Sequence, residues 1–97
     1  MRKFIVTIEE STEEQDNLFL DYIKENEFNW WHWIKNFWII IDYKDTINSL
    51  TLRDKVSEIY GSRNLVLEFE KKGWGGFGPN SDEPGGKNMF NWLNNIL

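Results

Sequence analysis

Five carboxylates are the first residues in this chain whose types and spacing could do chemistry. Glu9, Glu10, Glu13 and Glu14 crowd the stretch "TIEESTEE", and Asp42 closes the apolar run "FWIIID". Grouped carboxylate oxygens are what a hard cation such as Mg²⁺ takes as ligands. Glu9, Glu10 and Asp42 form the candidate metal set, with Glu9 the candidate catalytic residue. Glu13 and Glu14 have a competing explanation, because acidic side chains suit the positive end of a helix dipole. His32, the lone histidine, stands between Trp31 and Trp33. A general acid or base needs an orienting partner, and no serine or threonine lies near it in sequence. It reads as a strand histidine packed among rings. "GWGGFG", Gly73 to Gly78, has glycines in number but not the phosphate-binding pattern, which needs G-x-G-x-x-G straight after a strand and opening a helix. Pro79 follows instead. These glycines read as freedom for Trp74 and Phe77 to turn back onto an apolar surface. The acidic Ser81-Asp82-Glu83 reads as solvated loop.

Composition narrows the classes. The 97 residues suffice for one domain, 40% of them hydrophobic and 16% aromatic. There is no cysteine, so disulfides, zinc–thiolate sites and cysteine nucleophiles are excluded. Eleven Lys and Arg against 16 Asp and Glu give a net charge of −5, a poor match to a phosphate backbone. The longest apolar run, Phe37 to Ile41, is far too short to span a membrane. The opening "MRKFIVTIEE" is also too short in its apolar part for a secretory leader. The chain therefore reads as cytoplasmic.

The elements that must position these residues follow from periodicity. "KFIVTIE", Lys3 to Glu9, alternates as a strand. Ser11 with Glu14 matches a capping box, and Leu18, Phe19, Tyr22 and Ile23 recur at helical spacing, predicting a helix from Thr12 to Asn26. "NWWHWI" and "FWIIIDY" read as two strands joined at Lys35-Asn36. A second helix, capped by Ser49 or Thr51, carries Leu52, Val56, Ile59 and Tyr60 and stops at Gly61. "NLVLEFE", Asn64 to Glu70, alternates with Leu65, Leu67 and Phe69 inward. Residues 78–87 read as a Gly-rich loop and 88–97 as a short closing helix. The order strand–helix–strand–strand–helix–strand is that of the ferredoxin-like α+β fold: a βαββαβ chain whose four-stranded antiparallel sheet carries two helices on one face. The whole chain, 1–97, is one such domain.

The stretch "FNWWHWIKNFWIII", Phe28 to Ile41, holds four of the six tryptophans. Placing Phe37, Ile39 and Ile41 beneath the helices sends Trp38 and Ile40 to the open sheet face, with Ile5 and Thr7 from the first strand and Val66 from the last. Such an apolar face on a small protein marks an interface. The candidate interface set is Ile5, Trp31, Trp33, Trp38, Ile40, Val66, Trp74 and Phe77. Three covers fit it: a second copy of the chain, its own Gly-rich segment and final helix, or stacked nucleic acid, which the charge disfavours.

The succession "FIVTIE", "WWHWIKNFWII", "TLRDKVSEIYG", "NLVLEFEKKGWGGF" and "WLNNIL" resembles the SinR-like relatives of the small ferredoxin-like CRISPR-associated spacer-acquisition protein. The resemblance spans roughly Lys3 to Phe77 plus Trp92-Leu93. It implies a homodimer linked to CRISPR, defence or mobile-element biology. For the CRISPR-associated members it implies a metal-dependent nuclease, in which an aspartate ending the first strand holds Mg²⁺ across the dimer. Glu9 stands at that position, and its longer stem changes the ligand geometry that Mg²⁺ demands. The resulting expectation is a non-catalytic protein-interaction module without a cofactor, working as a homodimer or on another protein. The alternatives are a Mg²⁺-dependent nuclease centred on Glu9 and an acidic phage- or plasmid-encoded inhibitor that mimics nucleic acid.

Overall fold

The computed structural model describes residues 1–78 and 88–97. The elements run β1 (Arg2–Ile8), α1 (Glu13–Glu25), β2 (Asn29–Ile34), β3 (Phe37–Asp42), α2 (Ser49–Tyr60), β4 (Asn64–Phe69) and α3 (Asn91–Asn95). The strands form one antiparallel sheet in the order β2-β3-β1-β4, so the fold is ferredoxin-like α+β. Among the described residues no helix is long and apolar enough to cross a membrane. The expected 78–87 loop lies, apart from Gly78, outside the described residues, as does the Ser81-Asp82-Glu83 reading. The closing helix is shorter than expected.

Local chemistry sets the boundaries. Thr12 rather than Ser11 caps α1: its side chain accepts from Gln15 N–H, while the Gln15 amide oxygen accepts from Thr12 N–H. Ser11 is withdrawn from capping because its hydroxyl donates to Asn36 Oδ1. Asn48, not Ser49 or Thr51, caps α2, accepting from Thr51 N–H at 2.9 Å. Gly61 ends α2 with φ 63°, the left-handed conformation that glycine adopts without steric cost. The β2–β3 turn uses Asn36 at φ 62°, a residue type that tolerates this region.

One core lies between sheet and helices. Phe4, Val6 and Ile8 of β1 meet Phe19 and Ile23 of α1 and Leu52, Val56 and Tyr60 of α2. Here the structure corrects the sequence reading of β3. Trp38 and Ile40 lie in this core, 2% and 0% exposed, and Val66 packs against it. Directly opposed residues of an antiparallel pair share a face. Phe4 faces Ile40, and Val6 faces both Trp38 and Val66, so helix-facing β1 residues carry these three to the helix side. Phe37, Ile39, Leu65, Leu67 and Phe69 consequently lie on the other face.

The same alternation buries Asp42 on the helix side at 1% exposure. A buried carboxylate is costly unless its oxygens are hydrogen-bonded. This one accepts from the N–H groups of Lys44, Thr46 and Ile47 and from the Thr46 hydroxyl. It thereby organises the turn into α2.

Candidate interaction surface and the acidic cluster

On the face away from α1 and α2, strand register arranges side chains in three cross-strand rows. Asn29, Ile41, Lys3 and Phe69 make one, and Trp31, Ile39, Ile5 and Leu67 the next. Ile34, Phe37, Thr7 and Leu65 make the third. The chain's own end covers part of them. Met89, Phe90 and Leu93 form a second buried cluster with Trp31 and Ile39, and Phe37, Phe69, Trp92 and Leu97 pack around it. Of the three covers open to the sequence, the second is therefore the one found on the first two rows.

Polar bonds fix this cover at its margins. The Trp31 indole N–H donates to the Met89 carbonyl, and the Trp92 indole N–H to Asn29 Oδ1 at 2.8 Å. Lys71 Nζ donates to Leu93 O at 2.7 Å and Lys3 Nζ to Leu97 O at 3.1 Å. Leu93 O lies in the last turn of α3, whose carbonyl end suits a cation. The segment 73–78 lies over the same cluster. A Cβ on Gly76 would come within 2.6 Å of the Phe90 ring, and one on Gly78 would collide with Met89 Sδ. A side chain at Gly76 would have to displace the Phe90 ring, and one at Gly78 the end of the Met89 side chain. Between them Phe77 is displayed outward, 95% exposed.

The cover leaves parts of both sheet edges bare. Ile34, Leu65 and Leu67 remain 51%, 55% and 50% exposed. Of the expected interface residues, Ile5 and Trp31 lie on this face, with Trp31 buried at 3%, and Trp74 and Phe77 border it. Trp33 sits at the register irregularity between Trp31 and Ile34 and is exposed. Trp38, Ile40 and Val66 belong to the opposite side and contribute nothing here. The sequence reading placed Leu65 and Leu67 inward and Val66 outward, the reverse of what pairing with Thr7, Ile5 and Val6 dictates, and it left out Ile34. The signal for the leucines was present in the alternation of "NLVLEF", once β4 is known to pair with Ile5 and Thr7.

The acidic residues are not gathered into one site. β1 and β3 are antiparallel, so Asp42 lies opposite Arg2 and Glu9 stands just past the far end of β1. Seven residues of strand separate them by about 23 Å at ~3.3 Å each. Among the described residues no three His, Asp or Glu side chains are clustered to hold a metal ion. Glu9 instead takes a two-point hydrogen bond from the Arg63 guanidinium, Nε to Oε2 and Nη2 to Oε1, both 2.8 Å. That bond holds its carboxyl below the usual range. Near Glu10, the Ser62 hydroxyl donates to the Glu10 carbonyl at 2.9 Å. Asp16 accepts from the Tyr60 hydroxyl at 2.8 Å. Burial, reinforced by that bond, pushes the Tyr60 hydroxyl above the ordinary tyrosine range, so it remains a donor tying α2 to α1.

His32 lies flat on the Trp38 indole, centroids 3.7 Å apart, with Nδ1 2.8 Å from Phe37 O. One ring nitrogen is thus engaged with backbone and one ring face with a tryptophan. This is the packed strand histidine that the sequence suggested.

No family model, no curated protein and no solved structure matches the chain.

Proposed function

We propose that the chain is a non-catalytic interaction module that pairs with a second copy of itself through the bare strip of its sheet. The observation that carries this reading is the pair Leu65 and Leu67, half exposed and two residues apart on one face of the edge strand β4. Contiguous exposed apolar side chains on a small protein mark a contact surface. An edge strand also presents unpaired backbone groups to a neighbour. The resemblance to the SinR-like relatives, which implies a homodimer, supports the same reading. It adds a setting in CRISPR-associated, defence or mobile-element biology.

Two further points favour contact over chemistry. Asp42 lies at the opposite end of β1 from Glu9 and Glu10, and Glu9 is taken up by Arg63. Trp31 lies beneath the chain's own C-terminal segment and Trp38 beneath the helices, so neither ring is open to stack on bases.

Sedimentation equilibrium tests the proposal. The expected result is a dimer at tens of micromolar, and a folded monomer for the double variant Leu65→Lys, Leu67→Lys. A wild-type monomer at hundreds of micromolar would refute it. Metal-dependent cleavage of RNA or DNA that is lost in Glu9→Ala would favour the nuclease instead.

A further inference from the structure

Between the sheet and the segment 73–78 lies an apolar cavity of about 320 Å³. Its floor is Ile5, Ile39 and Leu93, its walls are the rings of Trp31, Phe37 and Phe90, and Trp74 stands at its mouth. The rings are fixed with respect to one another. Trp31 and Phe90 are stacked with centroids 6.3 Å apart and planes 20° from parallel, and Trp74 leans on Phe90 at 5.3 Å. Phe37 meets Trp31 edge-on at 6.2 Å. The polar part of the lining comes from Glu70 and Lys71, and the Lys71 ammonium is committed to Leu93 O. Gly73 and Gly75 complete the rim, and a Cβ added at either meets nothing within 4 Å, so the mouth is open there.

We propose that this cavity binds one small, flat, uncharged aromatic molecule of about two fused rings. Volume sets the size, because an apolar cavity of ~150 Å³ stays dry and takes one benzene, and this one is about twice as large. The walls set the shape, since a planar ring can lie offset or edge-on against several fixed aromatic rings at once. The lining sets the charge, because an ion entering would find few polar partners and would lose its hydration. Small-ligand sites are of this kind, concave, mostly apolar and edged by a few polar groups. The site belongs to the single chain and stands whether or not two copies pair.

The probes are 2-naphthol and its fully saturated counterpart, decahydro-2-naphthol, of similar size and polarity, titrated into the full chain by calorimetry and by NMR of the indole N–H signals. The expected result is one 2-naphthol per chain with a dissociation constant in the micromolar range. The saturated compound should bind about tenfold more weakly. Indole signals of Trp31 and Trp74 should shift while that of Trp38, on the other side of the sheet, stays in place. Ile5→Phe, which fills the cavity from its floor, should abolish binding, and Leu18→Ala on the far surface of α1 should leave it unchanged. Absence of saturable binding at millimolar 2-naphthol would overturn the proposal. So would equal affinity for the two compounds, shifts centred on Trp38, or unchanged binding in a folded Ile5→Phe chain.

Discussion

The Trp31 indole is stacked on the Phe90 ring, 59 positions away in the chain, and its N–H reaches the neighbouring Met89 carbonyl. One aromatic pair thus joins β2 to the C-terminal segment and closes over the middle of a sheet that is apolar on both faces. Phe90→Ala should lower stability by about 3 kcal/mol, the cost of emptying a buried aromatic site. Chemical denaturation followed by far-UV circular dichroism measures this.

Asp42 should matter to folding rather than to chemistry. Asp42→Ala strands three N–H donors that the carboxylate now satisfies, that of Ile47 buried and those of Lys44 and Thr46 partly so. The expected loss is about 3 kcal/mol, since each orphaned donor carries its own desolvation cost. For a chain of this size that lowers Tm by roughly 10–20 °C in thermal unfolding. Asp42→Asn keeps one acceptor oxygen and should fall between variant and parent.

The two glycines at 75 and 76 should behave differently although they are adjacent. A methyl group at Gly75 meets nothing, whereas one at Gly76 runs into the Phe90 ring. Gly75→Ala should be near neutral, and Gly76→Ala should cost about 1–2 kcal/mol by overpacking. Paired denaturation curves decide it, and equal effects would show that 73–78 does not rest on Phe90.

The Glu9–Arg63 pair predicts a modest dependence on pH. Arg63 holds the folded Glu9 carboxyl below its ordinary value, so its contribution is present above the ordinary carboxylate range. It is lost as pH falls through the lowered folded value. Both groups are exposed, so the effect is small and screened by salt. Glu9→Gln should flatten the corresponding part of the Tm-against-pH curve below about pH 4.5 and leave Tm at pH 7 within 1–2 °C of the parent, consistent with an exposed pair.

Much of the fold was legible because local signals agreed. The alternation of "KFIVTIE", the helical spacing of Phe19 and Ile23, and Gly61 as a stop each state their element within a few residues. Helix caps slipped by one to three positions because Ser11, Thr12, Asn48, Ser49 and Thr51 are all competent capping residues. Only tertiary partners, such as Asn36 for Ser11, separate them. The facing of β3 was not legible. Phe37-Ile39-Ile41 and Trp38-Ile40 are both large and apolar, so alternation alone does not say which set faces the helices. Carboxylates close in type and expected on neighbouring strands looked like a site, and antiparallel pairing set Asp42 and Glu9 at opposite ends of the sheet. The cover over Trp31 was legible only as one of three options, because nothing local in "KNMFNWLNNIL" says where it docks.

Hydrogen–deuterium exchange at the Trp31 indole N–H tests most directly whether the chain itself closes the second face of its sheet. In the intact chain that proton should exchange several orders of magnitude more slowly than the half-exposed Trp33 indole. In a chain truncated after residue 87 it should exchange as fast as Trp33 while the Trp38 indole stays protected. Rapid exchange at Trp31 in the intact chain, with Trp38 protected, would contradict the cover and the account built on it.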